Sequence, residues 1–243
     1  MLNLIYEEVN CQIPIERNNI NRRFTVIKCT FENTENQREF IYQKALELAL
    51  AVNPLRANDA LNVRGRETLI RDALGGVLAE YGWLDFINRV YGDIASFTVF
   101  NGANGQIDIL LNNKKTIEVR SSFPRNGIKF AICHDKYNFR NICKYENFYK
   151  PSEVNKDFFA SVLFETQKIN LLTAKPIIFY LIGGSTREMM ESPICYNADL
   201  LADDDLTQAR TTYKVIDLKN ALDINGFMAY IGVLGYKKMN VSS

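Results

Sequence analysis

Residues 107–122 read IDILLNNKKTIEVRSS: two short apolar runs around a polar turn, each run carrying one carboxylate. Side chains alternate along a strand, so Asp108 and Leu110 face one way while Ile107, Ile109 and Leu111 face the other. In TIEVR, Glu118 and Arg120 share the face opposite Ile117 and Val119. Residues directly opposed in an antiparallel pair lie on the same face. A three-residue turn, Asn112-Asn113-Lys114, therefore sets Asp108 opposite Glu118, whereas a two-residue turn at Asn113-Lys114 would put them on opposite faces. A charge inside a packed strand is costly unless something pairs with it. That something is either a structural partner or a metal ion, and metal binding predicts the even register.

Outward from this hairpin the pattern is that of a mixed α/β protein. Residues 1–15 and 24–31 alternate as a strand pair. NTENQREFIYQKALELALAVNP reads as a helix, capped by Asn33 or Thr34, with Ile41, Ala45, Leu48 and Ala49 at helical spacing and Pro54 as its stop. A second helix runs from about Gly65 to Val90, where Leu74, Val77, Leu78 and Tyr81 form an apolar stripe and Glu80 sits beside it. SFTVF, QIDILL, TIEVRSS, IKFAIC, DFFASVLFE, KPIIFYLIGG, TTYKVIDL and FMAYIGVLG read as strands. A small helix is expected near STREMMES, and a surface loop or short helix around Asn138–Ser152. No repeat or Gly/Ser linker divides the 243 residues, so one elaborated domain is expected.

Composition narrows the chemistry. No apolar run is long enough to cross a bilayer, and the N-terminus lacks the pattern of a signal peptide, so a cytoplasmic location is the expectation. The five cysteines (Cys11, Cys29, Cys133, Cys143, Cys195) contain no CxxC pair and read as reduced and mostly buried. His134 is the one histidine, which removes two-histidine metal sites and leaves no GxSxG serine to make a triad with it. Net charge is +1, yet Gly105–Lys156 carries ten basic residues against five acidic, interleaved with aromatics. Such a segment suits a phosphate backbone, and equally a solvated surface.

What remains is carboxylate chemistry. Asp108 and Glu118 can hold one hard cation, with the Val119 main-chain carbonyl as a third oxygen and Glu80 within reach directly or through water. Mg²⁺, with Mn²⁺ as its substitute, suits such a partial oxygen set because it keeps several waters and takes a phosphate oxygen. Arg120 can steady phosphate charge but cannot act as a base near neutral pH.

GGVLAEYGWL, then IDILL, then IEVRSS resembles the PD-(D/E)XK nuclease superfamily, which holds many type II restriction endonucleases. A helix Glu, a strand Asp and a Glu-x-Lys on the adjoining strand map onto Glu80, Asp108, and Glu118 with Arg120. KDFFASVLF resembles the strand that often follows, so the likeness covers roughly residues 66–165. It implies a restriction endonuclease-like core, a central mixed β-sheet flanked by helices. Residues 1–60 would be N-terminal strands and helix, 61–165 the catalytic core, and 166–243 strands completing or extending the sheet.

The resemblance implies a Mg²⁺-dependent endonuclease hydrolysing double-stranded DNA, acting as a homodimer, with catalytic Asp108, Glu118, Arg120 and Glu80. Arg125, Lys129, Lys136, Asn138 and Arg140, in the basic segment, would contact DNA. Two positions depart from the pattern: Ile107 stands where Pro is usual, and Arg120 where Lys is. The second leaves three options: an electrostatic role for Arg120, substitution by a nearby lysine such as Lys129, or a catalytically silent site. Two other readings stand beside the nuclease: a nucleic-acid-binding or scaffold protein on the same fold, and a regulatory domain in which Glu118 and Arg120 merely pair and Asp108 and Glu118 do not converge.

Overall fold

The computed structural model describes residues 2–15, 18–51, 65–99, 107–133, 140–145, 155–200 and 211–239. Strands β1 (Asn3–Ile15), β2 (Asn18–Phe31), β3 (Ala95–Phe97), β4 (Ile109–Leu111), β5 (Thr116–Ser122), β7 (Phe158–Phe164) and β8 (Ile177–Thr186) form one seven-stranded sheet in the order β1-β2-β8-β7-β5-β4-β3. Every pairing is antiparallel except β5 with β7. Strands β6 (Arg140–Tyr145), β10 (Thr211–Asp217) and β9 (Cys195–Leu200) make a second sheet in that order.

Helices α1 (Glu35–Ala51), α2 (Arg66–Tyr91) and α5 (Ile224–Val233) cover one face of the large sheet, whose side chains Ile27, Ile117, Phe158, Phe179 and Leu181 join theirs in one core. Phe24, Val26, Phe159, Leu163 and Ile182 form the other face and pack with α3 (Ile128–Cys133), α4 (Arg187–Glu191) and the small sheet. Covering both faces explains why β7, apolar but for Ser161, is buried along its whole length. The architecture is mixed α/β with a large mixed sheet flanked by helices. No helix among the described residues is long and apolar enough to cross a membrane.

Helix α2 sits where the apolar stripe predicts. It buries Leu74, Val77, Leu78, Trp83 and Phe86, with Tyr81 half-buried. Gly82 allows a close approach to β8, because a Cβ there would lie 2.7 Å from the Phe179 ring and 3.1 Å from Leu181. Asn88 ties the far end of the helix to β3, donating to Ala95 O at 3.0 Å and accepting from Ala95 N at 2.9 Å.

Five expectations need correction. IKFAIC and FMAYIGVLG are helices, not strands. Short apolar runs fit either periodicity, and here Ile128, Ala131 and Ile132, and likewise Ile224, Phe227 and Ile231, take helical spacing toward the core. Asp223 caps the second of these, accepting from Gly226 N at 2.9 Å. Within the stretch read as loop or short helix, residues 140–145 pair with β10 as a strand. β9 lies in a stretch for which no element was expected, and it too is paired only by β10. Finally, Cys11 and Cys133 form a disulfide between β1 and the end of α3, so the cysteines are not all reduced. Cys29 and Cys195 are free and buried.

Gly82→Val is expected to destabilise the fold by about 2 kcal/mol, because overpacking forces Phe179 and the helix apart; chemical denaturation checks this. Reducing the Cys11–Cys133 bond is expected to remove about 2–4 kcal/mol. Thermal melts with and without dithiothreitol, paired with thiol counting by mass spectrometry, read the loss.

Candidate active site

The turn between β4 and β5 is the three-residue one. Leu111 N donates to Lys115 O, and Lys114 N to Leu111 O, each at 2.8 Å. Lys114 takes the left-handed conformation at φ 69°. Lys115 N donates to Asn113 Oδ1 at 3.0 Å, an Asx-type closure that suits the Asn. Tyr236, beyond α5, pins the turn by accepting from Asn113 N at 3.1 Å and donating to Asn112 Oδ1. Ile109 consequently pairs with Ile117, and Leu110 with Thr116. The ladder ends there; continued by one residue, this even register sets Asp108 opposite Glu118.

The two carboxylates do converge. Asp108 is buried, and its Oδ2 accepts from Val119 N at 2.7 Å. The N–H and C=O of one strand residue project to the same side, so the Val119 carbonyl also faces the Asp108 side. Burial and then the Glu118 charge push the Asp108 carboxyl up to about 7, against the pull of Val119 N–H, Arg120 and Lys156. Glu80 is half-buried along α2, yet desolvation first, and then the charges of Asp108 and Glu118, hold its carboxyl well above the usual range; Lys44 on α1 opposes this. Three carboxylates thus feel one another's field.

Glu118 is the hub. Its Oε1 pairs with Arg120 at 2.9 Å and its Oε2 with Lys156 at 3.2 Å. Arg120 and Glu118 do form the same-strand pair expected of a regulatory domain, but alongside the Asp108–Glu118 convergence that such a domain would lack. Oε2 is fully buried and accepts no aligned hydrogen bond. Lys156 itself is 1% exposed, a burial that lysine almost never has without a partner.

The comparisons with protein-family models, with curated proteins and with solved structures returned no match.

Of the expected DNA contacts, Arg125 is exposed in the turn before α3, and Lys129 is exposed on α3. Arg140 opens β6, opposite Asp217 of β10. Lys136 and Asn138, with His134, lie outside the described residues. Lys156 is the residue that sequence reasoning missed. It sits two positions before β7, so no local spacing links it to Glu118; the parallel β5–β7 pairing does. It, rather than Lys129, is the lysine at the carboxylates.

Asp108 and Glu118 supply hard oxygens, the donor type a divalent cation takes, while Glu118 Oε2 already has Lys156 Nζ at 3.2 Å as its partner. Among the described residues no group of three or more acidic, histidine or cysteine side chains is placed to hold a metal ion. Asp108, Glu118 and the Val119 carbonyl would hold the ion, with Glu80 behind them.

The raised Asp108 pKa has a signed consequence. Between about 4, the value of a free Asp, and about 7, the folded chain keeps a proton that the unfolded chain releases. Stability in chelator is therefore expected to fall as pH rises through that window, and to level off above it. Asp108→Asn keeps an oxygen for Val119 N–H and removes the charge. It should raise the melting temperature at pH 7.5 and flatten the slope measured from pH 5 to 7.5.

Proposed function

We propose that this chain is a Mg²⁺-dependent endonuclease that hydrolyses DNA phosphodiester bonds on a restriction endonuclease-like core. The observation that carries the reading is the convergence of Asp108 and Glu118, from adjoining strands, beside Glu80 and two cations. When bound, the metal would polarise the phosphate and lower the pKa of a water. Glu118 is presented by β5 and Asp108 by the residue immediately before β4, and strands hold ligands more rigidly than loops do. Arg120 has a forked guanidinium suited to phosphate oxygens, and its pKa keeps it charged throughout. Val119 N–H, by engaging Asp108 Oδ2, fixes the direction of that carboxylate.

Arg125 and Lys129, exposed just past the end of β5, would meet the backbone of double-stranded DNA, joined by Lys136, Asn138 and Arg140. A homodimer would bring one site to each strand. One observation favours a second reading, a catalytically silent nucleic-acid-binding or scaffold protein: Arg120 and Lys156 already neutralise Glu118 without a metal.

The deciding experiment incubates the purified chain with supercoiled plasmid and Mg²⁺, with and without chelator. Nicking or linearisation that needs the metal is expected. Asp108→Asn and Glu118→Gln should each slow it by roughly 100-fold or more, equivalent to about 3 kcal/mol of barrier. DNA retention on a gel without any cleavage would select the scaffold reading.

A further inference from the structure

Lysine 156 reaches Glu118 by an unusual route. It precedes β7, and the Asp157 N–H that follows it donates to Thr116 O at 3.1 Å, which places it at the start of the parallel β5–β7 pair. Glu118 lies two residues further along β5 than Thr116. The lysine stem must therefore run along the strands, buried, to set Nζ 3.2 Å from Glu118 Oε2.

The backbone on either side of Lys156 is clamped. Arg187 Nε donates to Lys156 O at 3.0 Å, and its other nitrogen donates to Asn155 O at 3.3 Å. The Asp157 carboxylate accepts from Lys115 Nζ, Thr116 N and Thr116 Oγ1, each at 3.0 Å, and pairs with Arg187 at 3.3 Å. Arg187 N closes the loop on Asp157 O at 3.0 Å. This network gives the lysine stem a fixed origin.

We infer that Lys156 is the lysine of this site, supplied from the neighbouring strand in place of the one absent at Arg120, and that Asp157 with Arg187 positions it. The inference rests on the nuclease reading. Lys156 holds Oε2 while Arg120 holds Oε1, so Glu118 is gripped from both oxygens and keeps one orientation. An ammonium has three rotatable donors, and those beyond the Glu118 contact are available to a phosphate or a water at the same place. A guanidinium on the same strand as Glu118 cannot reproduce that arrangement from the opposite oxygen. Lys156 is thus a positioning residue for Glu118, and Asp157 for Lys156.

The test measures Mn²⁺ affinity by calorimetry and plasmid cleavage in parallel, for wild type, Lys156→Gln, Lys156→Arg, Asp157→Asn and Arg120→Lys. Lys156→Gln removes a positive charge beside the carboxylates and frees Oε2, so it should bind Mn²⁺ roughly tenfold more tightly. The same variant should cleave roughly 100-fold more slowly with KM for DNA within about twofold, because a misplaced group costs turnover rather than binding. Tighter metal with slower chemistry is a pairing that simple unfolding cannot produce. Lys156→Arg should restore wild-type metal affinity. Asp157→Asn, which leaves Lys156 in place, should shift both readouts the same way by smaller factors, and it carries the test if Lys156→Gln does not melt cooperatively. Arg120→Lys should cleave within about tenfold of wild type.

Unchanged Mn²⁺ affinity in both Lys156→Gln and Asp157→Asn overturns the inference, and so does an Arg120→Lys variant that cleaves more than tenfold faster than wild type. A wild type that binds Mn²⁺ tightly, shows the affinity shift on losing Lys156, and never cuts DNA sinks the nuclease reading alone. A chain that binds no Mn²⁺ in any variant sinks both.

Discussion

The turn at residues 112–114 is the constraint on which the candidate site depends. With three residues between Leu111 and Lys115, Asp108 falls opposite Glu118, and with two it would point to the other side of the sheet. Several weak devices hold that count. Lys114 accepts a left-handed backbone, Asn113 closes an Asx turn onto Lys115, and Tyr236 bonds to both Asn112 and Asn113 from beyond the last helix. Each contributes about 1 kcal/mol or less on ordinary grounds. Together they decide which face a carboxylate occupies, because strand periodicity turns a slip of one residue into a reversal of the whole strand.

The charges so gathered are an expense in the metal-free fold. Buried ion pairs offset desolvation only when the geometry is good and the remaining polar atoms are satisfied. Here Glu118 has two cationic partners, Asp108 has a main-chain donor, and Glu80 feels the opposing charge of Lys44. The arrangement is thus graded, with Glu118 paired to two cations and the Asp108 and Glu80 carboxyls pushed toward their protonated forms. Protein interiors tolerate such grading at sites whose chemistry uses it.

Much of this was legible in the sequence because it is local. The hairpin register follows from residues within a 16-residue window, and the apolar stripe of α2 follows from its own spacing, which also puts Glu80 near the buried edge. Reading failed where the deciding contact is distant or the pattern is ambiguous. IKFAIC and FMAYIGVLG are too short and too apolar to choose a period alone; Gly127 at φ 83° ahead of the first and the Asp223 cap ahead of the second decide. The Cys11–Cys133 bond spans 122 residues and depends on α3 lying against β1. Lys156 is the clearest case. Its partner is 38 positions away, and nothing but the parallel pairing of β5 with β7 brings the two together.

That long covalent bridge has a topological result. It closes residues 11–133 into a ring, and Glu80, Asp108, Glu118 and Arg120 all belong to the ring. Lys156, Asp157 and Arg187 belong to the open tail that leaves it. The acidic half of the cluster and its buried ammonium therefore come from two pieces of chain joined through a single connection, the backbone after Cys133. Severing that connection would yield two fragments with no covalent link, and the cluster would survive only if the tail found its seat against β5 by packing alone.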